Sequence, residues 1–473
     1  MSERTIVDSV LPSDEAAETG VQDVVIVGAG LAGLSAAREL ARRGRTVLVV
    51  EARARVGGRT FDVQVDDRHR VEMGGQWIAD AQSHVTALVS ELGLRTYPTF
   101  SRGDALYESR GHMRRYDGML PPAGFRILSD ARAAMRRLDR LASDVDRGTP
   151  WTAKRAADLD ARSVGEFLRT TCFTAGARRL LSLAVRAVYG EDPAQVSLLD
   201  LLAAISGVGG SIETLIEDAQ SRRIVGGTQQ LSIRLAEELG DRVRLEWPVD
   251  GLSAHPDEDV VVSSEGRTIR ARAVILALPK AMISKIRFFP DLPPNRIQLL
   301  QRQPFGATIK VNVVYRTPFW RAANLSGTVL SVDGPIELTY DNSPEHGDIG
   351  VIVGFFEGQA ARAHADRSAS ERRGVVLSSL ARFFGSEAGV PLSYHEVVWA
   401  NERYTGGAYG SFNPPGVLTG VAPYVEAVDP RIVFAGADVA TEWPGYLDGA
   451  ISNGTQSAEQ VDAWLGHESR VTR

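Results

Sequence analysis

An α/β chain built as two interleaved domains is the fold this sequence predicts, and three observations carry it. A glycine-rich turn near the start stands between an apolar strand pattern and a helix pattern; short apolar runs recur in two separate stretches after a long helical segment; and a last apolar run near the C-terminus enters a second glycine-rich turn. At 473 residues the chain exceeds one ordinary core and suits two or three domains. No internal repeat or low-complexity linker separates them, so the domains are expected to interleave rather than follow one another.

The first twenty-two residues carry Glu3, Asp8, Asp14, Glu15 and Glu18 against Arg4, and 1–22 reads as a disordered acidic tail rather than a signal peptide. A strand at Asp23 to Val27, a helix from Leu31 to Arg43 and a strand at Thr46 to Glu51 then make a βαβ unit. A mostly helical segment is expected from about Asp130 to Leu215. Within it the Arg-rich stretch Arg126 to Arg147 spaces Leu128, Ala131, Met135, Leu138 and Leu141 as one helix face, which makes the arginines a solvated opposite face. Strands are expected at Val243 to Leu245, Val260 to Val262 and Ala273 to Leu278, and a longer set at Thr308 to Tyr315, Thr328 to Val332 and Ile349 to Phe356. Arg431 to Ala435 reads as a buried strand that rejoins the first sheet, and Leu447 to Leu465 as a closing helix.

Composition excludes several function classes. A single cysteine, Cys172, allows no intramolecular disulfide and no cysteine-based zinc site, and fits a reducing cytoplasm. Net charge is −6 with both signs scattered, so no footprint for nucleic acid is present. No apolar run approaches the roughly 18 residues that span a bilayer, and no membrane partner is expected. Hydrolase and zinc-protease chemistry lack their motifs, since there is no G-x-S-x-G and His395-Glu396-Val397-Val398-Trp399 has no second histidine. Among 53 basic residues only Lys154, Lys280, Lys285 and Lys310 are lysines, which makes a lysine inside a strand informative.

Gly28-Ala29-Gly30-Leu31-Ala32-Gly33 follows the first strand and opens the helix, the context of a Rossmann-like dinucleotide fingerprint. Gly28 allows the tight turn, Gly30 the approach of a pyrophosphate, and Gly33 close packing of helix on strand, with Ala29 between them. Glu51 stands 23 positions beyond Gly28 at the end of the next strand, where its carboxylate suits an adenosine ribose hydroxyl.

The residues from Glu51 through Arg53, Arg55, Gly57, Gly58, Arg59 and Thr60 resemble the extended signature of the flavin-containing amine oxidases, the monoamine oxidase branch in its bacterial soluble type, with a likeness to putrescine oxidases as well. Met73-Gly74-Gly75-Gln76-Trp77-Ile78, Val225-Gly226-Gly227, Asp241-Arg242-Val243 and Val249 extend the resemblance. So do Phe434 to Asp438 and Trp443 to Ala450, its most specific stretch. It implies non-nicotinamide redox chemistry on FAD. Arg53, Gly58 and Arg59 would lie at the pyrophosphate, Val249 on the adenine, and Gly75, Gln76, Trp77, Trp399, Asp438 and Leu447 about the flavin. The FAD-binding domain would then comprise 23–98, 222–299 and 400–466, and a substrate domain of mixed sheet plus helices 99–221 and 300–399.

The resemblance also names the catalytic set. Tyr409 and Tyr446, each leaving a glycine turn, would form the aromatic pair that guides a neutral amine, and Lys310 would serve the reactive flavin nitrogen through a water. Independently, Ile309, Val311, Val313 and Tyr315 alternate away from Lys310, so the lysine leaves the apolar face of its strand. Ala408 stands where covalently flavinylated relatives have cysteine, which implies non-covalent FAD. The polar run Gly466 to Arg473, where membrane-bound members have an apolar helix, implies a cytoplasmic enzyme; a homodimer is left open.

The expected reaction is oxidation of a primary monoamine to an imine, hydrolysed to aldehyde and ammonia, with oxygen reduced to hydrogen peroxide. A diamine or polyamine oxidase, with Glu213, Glu217 or Glu337 as the distal acid, is the first alternative. An amino-acid oxidase would need an arginine fork and commonly has Met-Arg where Gln76-Trp77 stand. A nicotinamide dehydrogenase and a catalytically silent flavin-binding protein complete the alternatives. Leu338 is a candidate pocket wall.

Overall fold

The computed structural model describes residues 20–118, 121–216, 218–425 and 429–471, so the expected acidic tail lies, apart from its last three residues, outside the described residues. The chain divides into two compact units: Met1–Arg59, Gln229–Gln303 and Gly420–Arg473 form the first, and Thr60–Thr228 and Pro304–Thr419 the second. The segments expected to bind cofactor run past the first unit's bounds, to residue 98, from 222 and from 400.

The first unit is organised by an eight-stranded sheet. Its order is Val243–Arg244, Val47–Val50, Gln22–Val27, Arg267–Leu276, Val260–Ser264, Gly251–Ser253, Arg287–Phe289, with Ile432–Phe434 also paired to Arg267–Leu276. The central strands run parallel, with Val25 opposite Leu48 and Val274, and Val274 opposite Ile432. Parallel strands covered on both faces read as unbroken apolar runs, which is why Val24 to Val27 and Val47 to Val50 are all buried. Each such side chain contributes about 1.5–3 kcal/mol by leaving water. The expected last strand does rejoin this sheet.

Strand Arg267–Leu276 begins six residues before the expected Ala273, for a physical reason. Its first half pairs antiparallel with Val260–Ser264 and alternates exposed with buried side chains, while only its second half, between parallel neighbours, carries the continuous apolar signal. The closing helix is longer than expected, Leu447–Val471, continuing through Gly466. It lies against helix Leu31–Arg42 through small residues: a Cβ at Gly454 would meet the Ala32 carbonyl oxygen at 2.2 Å.

The second unit carries a seven-stranded sheet in the order Ser393–Val398, Thr308–Tyr315, Gly350–Glu357, Leu338–Asp341, Leu325–Ser331, Asp104–Ser109, His112–Tyr116. All pairs are antiparallel except Leu325–Ser331 with Asp104–Ser109. One face packs Ile309, Val311, Val313, Tyr315, Ile352 and Phe356 against Val376, Leu380 and Phe383 of helix Ala369–Phe384. The hairpin Asp104–Ser109 to His112–Tyr116 escaped the sequence reading because its second strand is mostly solvated and lacks a clear apolar alternation. The helical segment spans Phe125–Ala142 to Ile212–Ile216. In its first helix Ala131, Ala134, Leu138 and Ala142 are buried and the arginines lie on the solvated side, as the spacing predicts.

Candidate active site

In the first unit the glycine turn is built as the fingerprint requires. Gly28 has φ +106°, a region that favours glycine, and a Cβ there would meet the Ala277 carbonyl oxygen at 2.6 Å. A Cβ on Gly33 would lie 2.0 Å from the Gly28 carbonyl oxygen, so helix and turn touch through its missing side chain. Gly30 differs. A Cβ there would come no nearer to protein than 4.0 Å, at the Gly57 carbonyl oxygen, so packing within the protein does not demand glycine. The space it faces adjoins the start of helix Leu31–Arg42, whose N-cap supplies no side-chain oxygen to the first amides. Open space and the positive helix end fit a pyrophosphate.

Glu51 is buried and its two oxygens accept from Ala29 N at 2.9 Å and Arg53 N at 3.0 Å, so the acid braces the turn that it follows. The remaining lone pairs suit a ribose hydroxyl. The Arg53 guanidinium stays 3.7 Å from Glu51. Arg59 forks onto Asp438 at 3.1 and 2.7 Å, joining two expected cofactor residues that are 379 positions apart. Gly58, at φ +56°, has only the Gly30 Cα as a near neighbour, at 3.6 Å. Val249 is half-buried beside the sheet core, Leu447 opens the closing helix, and Tyr446 meets Trp443 edge to face at 5.4 Å.

In the second unit Lys310 lies on the sheet face away from the apolar core, and it is buried, with 3% of its surface exposed. Its Nζ donates to the Gly74 carbonyl oxygen at 2.7 Å and to Gln76 Oε1, within 5.9 Å of the Trp77 ring centre and 5.8 Å of Phe355. Burial pushes its pKa down to about 7, against the pull of Glu72 and Asp62, and Arg223 adds to the depression. A chain that uses arginine almost everywhere thus places here a cation that titrates near neutrality. Gln76 is fixed in turn: its Nε2 donates to Asn342 Oδ1 at 2.7 Å, and Asn342 Nδ2 donates to Asn312 Oδ1 at 2.8 Å. The Gly75 carbonyl accepts from Thr228 Oγ1, and Trp399 Nε1 donates to the Met73 carbonyl at 3.1 Å.

The same face carries a run of aromatic rings. Tyr340 meets Trp77 at 5.2 Å, Trp77 meets Phe355 at 6.2 Å, and Phe355 meets Tyr409 at 6.3 Å. Register explains the set, because Lys310 stands opposite Phe355 and Phe355 opposite Leu338, so these side chains share one face. The Gly406-Gly407 turn brings Tyr409 there, and a Cβ on Gly407 would meet Phe305 Cβ at 2.3 Å. Ala408 is buried just before it.

The sequence reading missed one buried group. Glu357 ends strand Gly350–Glu357, is 4% exposed, and accepts from Tyr409 Oη at 2.7 Å. Burial pushes its pKa up to about 8; the Tyr409 hydrogen bond pulls it down, Glu337 raises it and Arg186 lowers it. Tyr409 is raised well above its ordinary value by burial and by that carboxyl. Nothing in the local pattern marks Glu357, since it is one polar residue closing an apolar strand; only pairing with Thr308 assigns its face. The acids considered from sequence fare otherwise. Glu337 is forked by Arg186 at 2.7 and 2.7 Å, Glu213 is exposed, and Glu217 lies outside the described residues.

Comparison with known proteins gives a concordant result. The family model described as flavin containing amine oxidoreductase matches residues 31–462. The putative flavin-containing monoamine oxidase AofH of Mycobacterium tuberculosis is 38% identical over 446 residues, covering 94% of this chain and 97% of that protein. Among solved structures, wild-type putrescine oxidase bound to putrescine superposes with a TM-score of 0.89 at 34% identity, covering 94% of this chain and 99% of that one. Cyclohexylamine oxidase from Brevibacterium oxydans IH-35A gives 0.89 at 32%, covering 94% and 100%.

Proposed function

Because the chain belongs to the flavin-containing amine oxidoreductases, we propose that it oxidises a small primary amine to the imine with FAD and oxygen, holding FAD without a covalent bond at Ala408. Bound FAD supplies the acceptor for the hydride equivalent, and its reoxidation by oxygen yields hydrogen peroxide. The imine is released to water as aldehyde and ammonia.

The observation that carries the reading is the buried Lys310 facing Trp77 and Phe355 rather than solvent, with Tyr409 against Phe355. In this reading the FAD domain is drawn from 23–98, 222–299 and 400–466, and the substrate domain from 99–221 and 300–399. The Gly28 to Gly33 turn and Glu51 hold the adenosine diphosphate part. Lys310 holds a proton or a water at the reactive flavin position, while Gln76, locked by Asn342, fixes the direction of that ammonium. Tyr409 and Tyr446, each within its own unit, are the aromatic residues that the resemblance assigns to the neutral amine; aromatic faces favour the charge that develops on nitrogen.

An amino-acid substrate finds less support. The buried Arg223 guanidinium already donates to Glu72 and to the carbonyls of Asn342 and Ser343 instead of offering a fork to a carboxylate. Among the described residues no helix is long and apolar enough to cross a membrane. Anaerobic mixing with primary amines, secondary amines and amino acids tests the reading. Bleaching of the flavin band by primary amines is expected, and bleaching by amino acids alone would replace this function with the other.

A further inference from the structure

We propose that Asn342 and Asn312 are positioning residues for Lys310: with Gln76 they form a one-way row of amides that keeps an acceptor oxygen against the lysine, so that two positions on its nitrogen always donate to the protein and only the third gains or loses a proton. The inference rests on the amine-oxidase reading above, which gives Lys310 its work at the flavin.

The direction of the row is fixed at its far end. Asn312 Nδ2 donates to the Glu72 carbonyl oxygen at 3.0 Å and lies 3.4 Å from Met73 Sδ, and neither of those atoms has a proton to give. Asn312 must therefore turn its oxygen the other way, where Asn342 Nδ2 donates to it at 2.8 Å. With its nitrogen on that side, Asn342 presents Oδ1 to Gln76 Nε2 at 2.7 Å, and Gln76 in turn presents Oε1 to Lys310 Nζ. The second partner of Nζ, the Gly74 carbonyl oxygen at 2.7 Å, also only accepts. All three amides are buried and lie within the second unit, so water does not compete for their groups.

A protonated lysine carries three N–H groups and a neutral one carries two. With two acceptors held against it, neutral Lys310 gives both protons to the protein and keeps its lone pair for the third direction; protonated Lys310 has an N–H there instead. The third position is thus where the proton comes and goes. Were Gln76 turned round, its amino group would face Nζ, disfavour the ammonium and take up the lone pair of the neutral amine. Register explains how the row closes: Asn312 stands two residues from Lys310 on the strand Thr308–Tyr315 and so on the same face, which returns the row to the strand that bears the lysine.

The charged surroundings act on the same proton. Burial pushes the lysine's pKa down to about 7, while Glu72 and Asp62 raise it and Arg223 lowers it. The Glu72 carboxylate is itself held by Arg223 Nη2 and the Thr228 amide, and the rings of Trp77 and Phe355 near Nζ do not titrate. Against that desolvation, a fixed acceptor keeps the proton on Lys310 near neutrality.

The test reads the ionisation of Lys310 in the FAD-loaded protein through its stability. Tm is measured from pH 5 to pH 9 for the wild type, Asn342→Leu, Asn312→Leu, Gln76→Leu and the double variant Gln76→Leu with Asn342→Leu, each with and without Lys310→Met. The difference within a pair begins to rise with pH where the folded lysine loses its proton. Asn342→Leu should move that onset down by roughly one pH unit, the scale of one hydrogen bond to a charged group. Asn312→Leu, which breaks the row at its anchored end, should move it the same way. In the Gln76→Leu background Asn342→Leu should add nothing, because the row acts only through Gln76, and the pH profile of the flavin half-reactions should shift with the onset. A Tm loss uniform over pH in both asparagine variants, with the onset in place, would overturn the inference and leave the oxidase reading intact; so would a further shift from Asn342→Leu in the Gln76→Leu background. Wild-type half-reactions in Lys310→Met would instead overturn the lysine's part in that reading, and the inference with it.

Discussion

The Lys310 ammonium donates to the Gly74 carbonyl oxygen at 2.7 Å across 236 positions of sequence, in a place where burial holds its pKa down to about 7. That bond ties the strand Thr308–Tyr315 to the loop carrying Gln76 and Trp77. It also makes the lysine's charge a quantity that pH controls within the working range of an enzyme.

A lysine whose folded pKa lies below its unfolded value costs stability when it is charged, and the cost fades as pH rises from about 7 towards the unfolded value. The unfolded chain binds the extra proton in that window, so raising pH favours the folded state. Lys310→Met removes this term. The Tm of the variant relative to wild type should therefore be higher at pH 6 than at pH 9, by thermal melts in matched buffers. The same variant should stay yellow yet slow the flavin half-reactions at least about 10-fold, a modest value for losing a positioned proton donor. Wild-type rates in both half-reactions would remove the lysine from the mechanism.

Glu357 predicts the opposite slope. Its folded pKa, raised to about 8, means that the folded state binds the proton more tightly, and stability is lost as pH rises through about 8. Glu357→Gln should gain Tm relative to wild type between pH 5 and pH 9. A constant difference over that range would show that the carboxyl does not titrate as its burial requires.

The glycine turn separates a structural demand from a cofactor demand. Gly33→Ala places a Cβ 2.0 Å from a backbone oxygen and should destabilise by roughly 1–3 kcal/mol or more, whether or not flavin is present. Gly30→Ala meets no protein atom nearer than 4.0 Å, and its φ of −80° suits alanine. Its apoprotein should melt at or slightly above the wild-type temperature while flavin content falls. Full flavin occupancy in Gly30→Ala would mean that the pyrophosphate does not approach this position.

Acid precipitation checks the attachment of the cofactor. With Ala408 lacking a thiol, all flavin should appear in the supernatant; yellow colour in the pellet would reveal a covalent bond elsewhere.

Much of this was legible in the sequence wherever a signal is local. The βαβ unit, the glycine turn with Glu51, and the alternation that turns Lys310 away from Ile309, Val311 and Val313 all depend on neighbours a few residues apart. The hairpin at Asp104–Ser109 was not legible because solvated side chains in its partner strand give little apolar signal. The early start of Arg267–Leu276 escaped notice because antiparallel pairing weakens the pattern there.

The sequence by itself determined the glycine turn between strand and helix, the family, and the presence of a lysine inside an apolar strand, since backbone geometry and periodicity write these into short stretches of residues. Only the tertiary structure decided which side chains share a face. Antiparallel register sets Glu357 opposite Thr308 and Phe355 opposite Lys310, and the turn at Gly407 brings Tyr409 within 2.7 Å of that acid. Those partners lie tens of residues apart, and the desolvation that gives Lys310 and Glu357 their pKa values exists only once the chain has closed around them.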